Sequence, residues 1–264
     1  MTEATKVFKY IYVGTSAAGV PTVQWDLADS FTTSDTVGFY VERSLDLDTW
    51  TRLNESSPVS TYVYADSDHE RLRIGAGAYY RVILDDDGTE HTSQAMSMLS
   101  ELSATMRLKA YAVMREFYIH LSRSGAGVPG MLLRKRRWGT PCTACTDFST
   151  GAVLDADCTT CYGTGIVGGY FPAYALYGKF IKGAQFIRAN GADTGPMQSA
   201  SKEIVFPAFP VLEEEDIWVH TALNERYRIN KLAHVSEVEG VPLIYGAEVA
   251  LLEPGVIEYQ ISVA

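Results

Sequence analysis

All four cysteines of the 264-residue chain fall in one short stretch, as two C-x-x-C pairs: Cys142-x2-Cys145-x12-Cys158-x2-Cys161. Each pair can set two sulfurs on the same side of a tight turn. Two such knuckles brought together make a tetrahedral thiolate cage of the kind that suits zinc. The 12-residue spacer is slightly shorter than the roughly 15 to 20 residues common between such pairs. Turn residues stand where a ribbon needs them, with Gly151 between the pairs and Gly163 and Gly165 just after the last ligand. Two disulfides, an iron–sulfur or redox centre, and four buried unligated thiols are the competing readings. A cytoplasmic setting disfavours the disulfides, and the clustering disfavours inert thiols. The spacing therefore predicts one structural zinc on Cys142, Cys145, Cys158 and Cys161. Four protein ligands leave no open coordination position, so such a metal holds a loop in shape and does no chemistry.

A chain of this length can bury a core without covalent help, in one large domain or two to three small ones. Its 47% hydrophobic and 20% charged residues are ordinary for a folded protein, and 16 Tyr with many Val and Thr favour strands. The formal net charge of −10 argues against a surface that coats nucleic acid throughout, since phosphate binding needs Lys and Arg in excess. The first residues, MTEATKVFKY, show no apolar run after a basic segment, and no window approaches the roughly 18 apolar residues of a membrane span. These features predict a protein that stays in the cytoplasm where it is made.

Along the chain the hydrophobic period changes twice. Short alternating segments between residues 7 and 92 (KVFKYIYV, PTVQWDL, VGFYVERSL, STYVYAD, AYYRVIL) predict a β-sandwich over residues 1–96. Its Trp25, the run GFYVERS, Trp50 and YYRV resemble a fibronectin type III domain over about a third of the chain. From 97 to 123, Leu99, Leu102, Met106, Ala110, Val113, Phe117 and Leu121 recur every three or four positions, which predicts one long amphipathic helix. SRSGAGVPG ends it, giving a helix and basic loop over 97–130. The zinc-ribbon segment then occupies 131–170. Alternation resumes in KEIVFPAF, EDIWVHTA, the long run from ERYRI to LLEP, and IEYQISV, predicting a small C-terminal β-barrel over 171–264. The fold class is mainly β with one long helix.

Basic residues are concentrated against the overall charge. Arg107, Lys109, Arg115, Arg123, Arg134, Lys135, Arg136 and Arg137 face a single acid, Glu116, between residues 107 and 137. Such a patch can meet DNA or an acidic partner, or can simply be a solvated helix face with a basic loop. The five histidines, His69, His91, His120, His220 and His234, show no H-E-x-x-H or comparable spacing. The acidic runs LDDDG and LEEED lack the spacing of an EF-hand. No G-x-S-x-G, Walker or dinucleotide fingerprint is present, so the chain is not expected to be an enzyme.

The segment RKRRWGTPCTACTDFSTGAVLDADCTTCYGTGIVGGYFP resembles a zinc-binding stretch of virion structural proteins from contractile-tailed bacteriophages. After it, EEEDIWVHTALNERYRINKLAHVSEVEGVPLIYGAEVALLEPGVIEY is similar to phage head-closure and neck proteins: an acid before a strand, then RYRI, a G-x-P step and a final strand ending near Tyr. The resemblance implies a head-to-tail connector carried in the virion neck, in a ring of 6 or 12 copies closed by rotation. It also implies portal or adaptor and tail terminator or tail-tube proteins as neighbours, with genome DNA in the channel. A baseplate or tail protein, or a zinc-ribbon module binding nucleic acid or carbohydrate, is the alternative.

Overall fold

The computed structural model describes residues 7–15, 20–29, 31, 33, 37–68, 77–123, 125–147, 150–181 and 201–263. Among the described residues the fold is mainly β, with 44% strand, a single α-helix and a curled half-barrel sheet. The chain forms two compact units. Unit 1 takes Met1–Lys109, Lys135–Pro172 and Phe209–Val211; unit 2 takes Ala110–Arg134, Ala173–Ala208 and Leu212–Ala264. The cysteine segment thus belongs to the N-terminal unit.

In unit 1 the strands are β1 (Phe8–Thr15), β2 (Pro21–Leu27), β3 (Val37–Ser44), β4 (Thr51–Arg52), β5 (Val63–Ala65), β6 (Tyr79–Asp86), β7 (Thr89–Thr92) and β8 (Met96–Ser97). They make a three-stranded sheet β1-β2-β5 and a five-stranded sheet β4-β3-β6-β7 with β8 also on β6. All pairings are antiparallel. One apolar face of each sheet enters a common core: Ile11, Val13, Val23, Trp25 and Leu27 from the first, Phe39, Val41, Tyr80, Val82 and Leu84 from the second.

Strand β2 departs from simple alternation, because all seven of its residues are buried. Thr22, Gln24 and Asp26 lie on the face opposite the core, where a strand would ordinarily be wet. Chain from elsewhere in unit 1 covers that face. Gln24 Nε2 donates to the Val211 carbonyl at 3.0 Å while its Oε1 accepts from the Val211 N–H at 2.8 Å. Tyr12 of β1 stacks on Phe209, with centroids 6.0 Å apart.

The helix α1 (Ala104–Arg123) is shorter than the 97–123 periodicity predicts. Leu99 adopts φ 54°, and tight turns close from Ser100 to Ser97 and from Leu102 to Leu99. Leu99 and Leu102 are buried from these turns instead of from helical positions. The first α-helical bond runs from the Arg107 N–H to the Ser103 carbonyl, and Ser is a favoured residue at a helix start. Within α1, Ala110 and Leu121 are buried, Met106 and Phe117 half-buried, and Val113 exposed, so the predicted stripe holds except at Val113. Among the described residues no helix is long and apolar enough to cross a membrane.

After α1 come β9 (Gly130–Leu133), then β10 (Thr146–Asp147) and β11 (Ala152–Val153) of the cysteine segment. The chain ends with β12 (Tyr174–Ala175), β13 (Lys179–Phe180), β14 (Ser201–Pro207), β15 (Ile217–His220), β16 (Glu225–Val238) and β17 (Val241–Leu251). Unit 2 is built on the seven-stranded antiparallel sheet β12-β9-β15-β16-β17-β14-β13. Its core gathers Leu132, Ile204, Phe206, Trp218, Tyr227, Ile229, Ala247 and Val249. Trp218 sits at the centre: its indole N–H donates to the Leu176 carbonyl at 2.9 Å, and its ring meets Phe180, Phe206 and Tyr227. The β16–β17 hairpin turns through Glu239 and Gly240, both at positive φ (50° and 82°), the geometry of a two-residue hairpin loop.

Candidate metal centre

Three local features bring the four cysteines together. First, each C-x-x-C pair closes a turn: the Thr146 N–H donates to the Cys142 carbonyl at 3.1 Å, and the Tyr162 N–H to the Cys158 carbonyl at 2.8 Å. Second, the spacer folds back as the β10–β11 hairpin, and the Leu154 N–H donates to the Cys145 carbonyl at 2.7 Å. Third, the two flanks run antiparallel, joined by Cys142 N–H to Gly165 carbonyl (2.8 Å), Val167 N–H to Thr140 carbonyl (2.9 Å) and Arg136 N–H to Gly169 carbonyl (2.9 Å). Gly151, Gly163 and Gly165 all take positive φ, as their places in the sequence predict.

The result is a buried cluster of four sulfurs lying within 4.8 Å of one another, able to hold a metal ion. None is in a disulfide. Two contacts cross between knuckles, at 3.1 Å for Cys145–Cys161 and 3.8 Å for Cys142–Cys158. A tetrahedron with metal–sulfur bonds of about 2.3 Å has sulfur–sulfur edges of about 3.8 Å, so small adjustments suffice to close the cage. Backbone N–H groups of Cys161 and Thr160 aimed at the Cys158 sulfur bring its thiol down to about 6. Sharing a proton with the Cys161 sulfur, together with burial, pushes the Cys145 thiol up. One sulfur is thus ready as thiolate, the form that binds metal. Among the described residues this is the one group of three or more metal-ligating side chains found close together.

The cage is tied to the unit 1 core by its flanks. Trp138 and Phe171 lie before the first and after the last cysteine, and both belong to that core. Their rings are 4.9 Å apart; Trp138 also meets Phe39 at 5.1 Å and Phe171 meets Tyr62 at 5.0 Å. The Trp138 indole N–H donates to Asp26 Oδ1 at 3.0 Å, which also accepts the Leu27 N–H. Asp26 is one of the buried polar residues on the outer face of β2, so the tryptophan supplies part of its cover. Sequence reasoning missed these anchors. The available signal was a large aromatic residue on each side of the cysteine run.

The predicted basic patch divides. Lys109, Arg115 and Arg123 are exposed on α1, and Arg107 is half-buried with Nη2 donating to the Leu102 carbonyl at 3.3 Å. In the RKRR run the expectation of outward charge is corrected at two positions. Arg134 is buried in unit 2 and ion-paired to Glu213 at 3.0 Å. Arg136 lies half-buried over the Phe171 ring, 4.5 Å from its centre, and its Nε donates to the Tyr170 carbonyl. Each of these two charges has a partner beside it: Glu213 for Arg134, and the Phe171 ring and Tyr170 carbonyl for Arg136. Lys135 and Arg137, the intervening positions, are half-buried. His91, His120, His220 and His234 make separate local contacts, and His69 lies outside the described residues.

No protein-family model matches the chain, and no curated protein matches it either.

Proposed function

We propose that the chain is a non-enzymatic structural subunit of a tailed-bacteriophage neck. Copies form a ring that joins the capsid portal to the tail and lines or closes the DNA channel; the protein is made in the host cytoplasm and carried in the virion. The observation that carries this reading is the buried four-sulfur cage anchored through Trp138 and Phe171 in the N-terminal core. A site with four protein ligands leaves no position for substrate, so its use is to hold shape. Zinc is the metal: it is redox-inert, takes tetrahedral thiolate sites and needs the spacing the sulfurs already approach. In this reading the two sheets of unit 1 are a fibronectin type III-like sandwich, the cysteine segment a zinc ribbon, and the half-barrel of unit 2 the head-closure-like barrel. The RYRI strand supports the last assignment by its structural use. Arg226 is buried and donates to the carbonyls of Glu258 and Ile261, and Arg228 pairs with Glu258, so the run ties the C-terminal turn to the sheet.

Imaging virions assembled without the protein tests the reading. DNA-filled heads that fail to join tails, or heads that lose their DNA, are the expected outcome. Complete particles with a defective tail tip move the subunit to the baseplate. Intact infectious particles overturn the structural role. Elemental analysis of the purified protein should find about one zinc per subunit.

A further inference from the structure

Two surfaces of this chain are exposed, partly apolar and opposite in charge. The first is the run Gly151–Asp157 in the cysteine segment, every residue of which is exposed. It displays Val153 (37% exposed) and Leu154 (74%), followed by Asp155 and Asp157, and no Lys or Arg occurs between Cys142 and Cys161. Its shape is fixed from beneath. The Leu154 N–H is held by the Cys145 carbonyl, and the Asp157 N–H closes a turn on Asp155 Oδ1 at 2.9 Å. The second surface is the side of α1 that carries Leu108, Ala112, Arg115, Ile119 and Arg123, spaced four, three, four and four residues apart and therefore on one stripe. All five are exposed, Leu108 at 54% and Ile119 at 38%. With Lys109 and Glu116 beside the stripe, three cations against one acid leave two positive charges there, matching the two negative charges of Asp155 and Asp157.

We propose that these surfaces are the two halves of one contact between copies of this chain: Val153–Asp157 of one copy docks on the exposed stripe of α1 in the next. This rests on the ring reading above and names its interface. Three arguments single out a second copy as the occupant. Each surface is solvent-exposed, and no contact to either is seen from the other among the described residues. Their charges cancel while their apolar side chains are buried together. In a chain of net charge −10, α1 is where an acidic segment of another copy meets attraction instead of repulsion. Because the halves are different patches, the contact is heterologous and repeats head to tail, which closes a ring when the rotation allows it. The metal then has a part in assembly, since it holds the docking segment in the conformation that binds.

The test uses the full-length, zinc-loaded protein with a photo-reactive benzoylphenylalanine in place of Leu154, whose exposure makes the replacement harmless to folding. Light- and heavy-isotope copies are mixed under assembling conditions and irradiated. The expected product is an inter-copy cross-link to the 108–123 peptide. Cross-links to another peptide, or none between copies, overturn the proposal. In parallel, Arg115→Glu with Arg123→Glu should weaken self-association on the order of tenfold or more, as like charges placed face to face do. Adding Asp155→Lys and Asp157→Lys should restore it. Rings that form with unchanged affinity in the charge-reversed protein overturn this interface and leave the neck reading standing. Absence of any oligomer, joined to intact infectious particles without the protein, removes both.

Discussion

Between Cys142 and Cys161 the buried side chains, among the described residues, are the four cysteines and nothing else. The seven-stranded sheet of unit 2 buries Leu132, Phe206, Trp218, Tyr227, Ile229 and Val249 against one another. The first region has almost no apolar surface to remove from water, so hydrophobic burial cannot order it. The second has ample surface, and among the described residues it holds no cluster of metal-ligating side chains. The four sulfurs could hold a metal ion, and such an ion together with the anchors at the flanks would give the cysteine segment a single shape, while the sheet relies on packing throughout.

Removing the metal is the strongest way to break that comparison. Structural zinc sites contribute apparent binding energies of about 10–16 kcal/mol in small zinc peptides, and that energy is folding energy. Chelation should abolish hydrogen-exchange protection at the amides of Cys142, Leu154, Tyr162 and Thr164, all of which are bonded within the segment. It should also raise exchange around Asp26 and Tyr62, whose partners Trp138 and Phe171 are held by the same flanks. Amides of β15, β16 and β17 should keep their protection. Equal loss across the half-barrel would show that the two regions do not differ in this way.

The anchors come next. Trp138→Ala empties a site among Phe39, Phe171 and Asp26, and large-to-small aromatic changes in a core cost about 3–5 kcal/mol. Denaturant titration should show that loss in unit 1 while the metal content of the cage stays as in the parent protein. Trp138→Phe should cost less, since it keeps a ring but leaves Asp26 with one fewer donor, an effect of about 1–3 kcal/mol. A variant that loses its metal without losing stability in unit 1 would contradict the anchoring.

These two regions also differ in how far their structure was legible in the sequence. The cage was legible because its geometry is local: two knuckles and a spacer written within one short run. The sequence shows β16 and β17 only as one long alternating run from ERYRI to LLEP; that the run folds back at Glu239 and Gly240 is seen in the structure. What could not be read was whatever depends on residues far along the chain. Trp138 finds Asp26 across 112 positions, and Gln24 finds Val211 across 187. The RKRR run misled for the same reason. Four adjacent charges suggest a wet surface, whereas Arg134 lies inside and pairs with Glu213, 79 positions away.

That arginine gives a prediction on the unit 2 side. Arg134→Ala leaves Glu213 without this partner in a largely enclosed place, and breaking a buried pair from one side costs about 3 kcal/mol or more. Arg115→Ala, on the exposed face of α1, should stay within about 0.5 kcal/mol. Thermal or chemical denaturation of both variants separates an internal ion pair from displayed charge. Equal and small effects would mean that Arg134 is as dispensable as a surface residue.

The smallest expected effect makes the sharpest comparison, because the same substitution can be placed in both regions. Gly151 and Gly240 each sit at a hairpin turn with positive φ, 71° and 82°, and an added Cβ would meet nothing within 4 Å at either. An alanine there pays only the backbone cost of the left-handed conformation, about 1–2 kcal/mol. What differs is where that cost is felt. If, as proposed, the cage holds zinc, folding of the cysteine segment and metal binding are one event, so Gly151→Ala should weaken zinc affinity by roughly tenfold, the equivalent of about 1.4 kcal/mol, and leave the denaturation midpoint of unit 1 nearly unchanged while zinc is in excess. The described residues of the half-barrel hold no comparable cluster of metal-ligating side chains. Gly240→Ala should lower the denaturation midpoint of unit 2 by that amount and leave zinc affinity as it was. Competition with a metal-binding dye, measured beside urea titration on both variants, reads the two quantities separately. A Gly151→Ala protein with undiminished zinc affinity would show that the turn is ordered without the metal, and the contrast between the regions would fall with it.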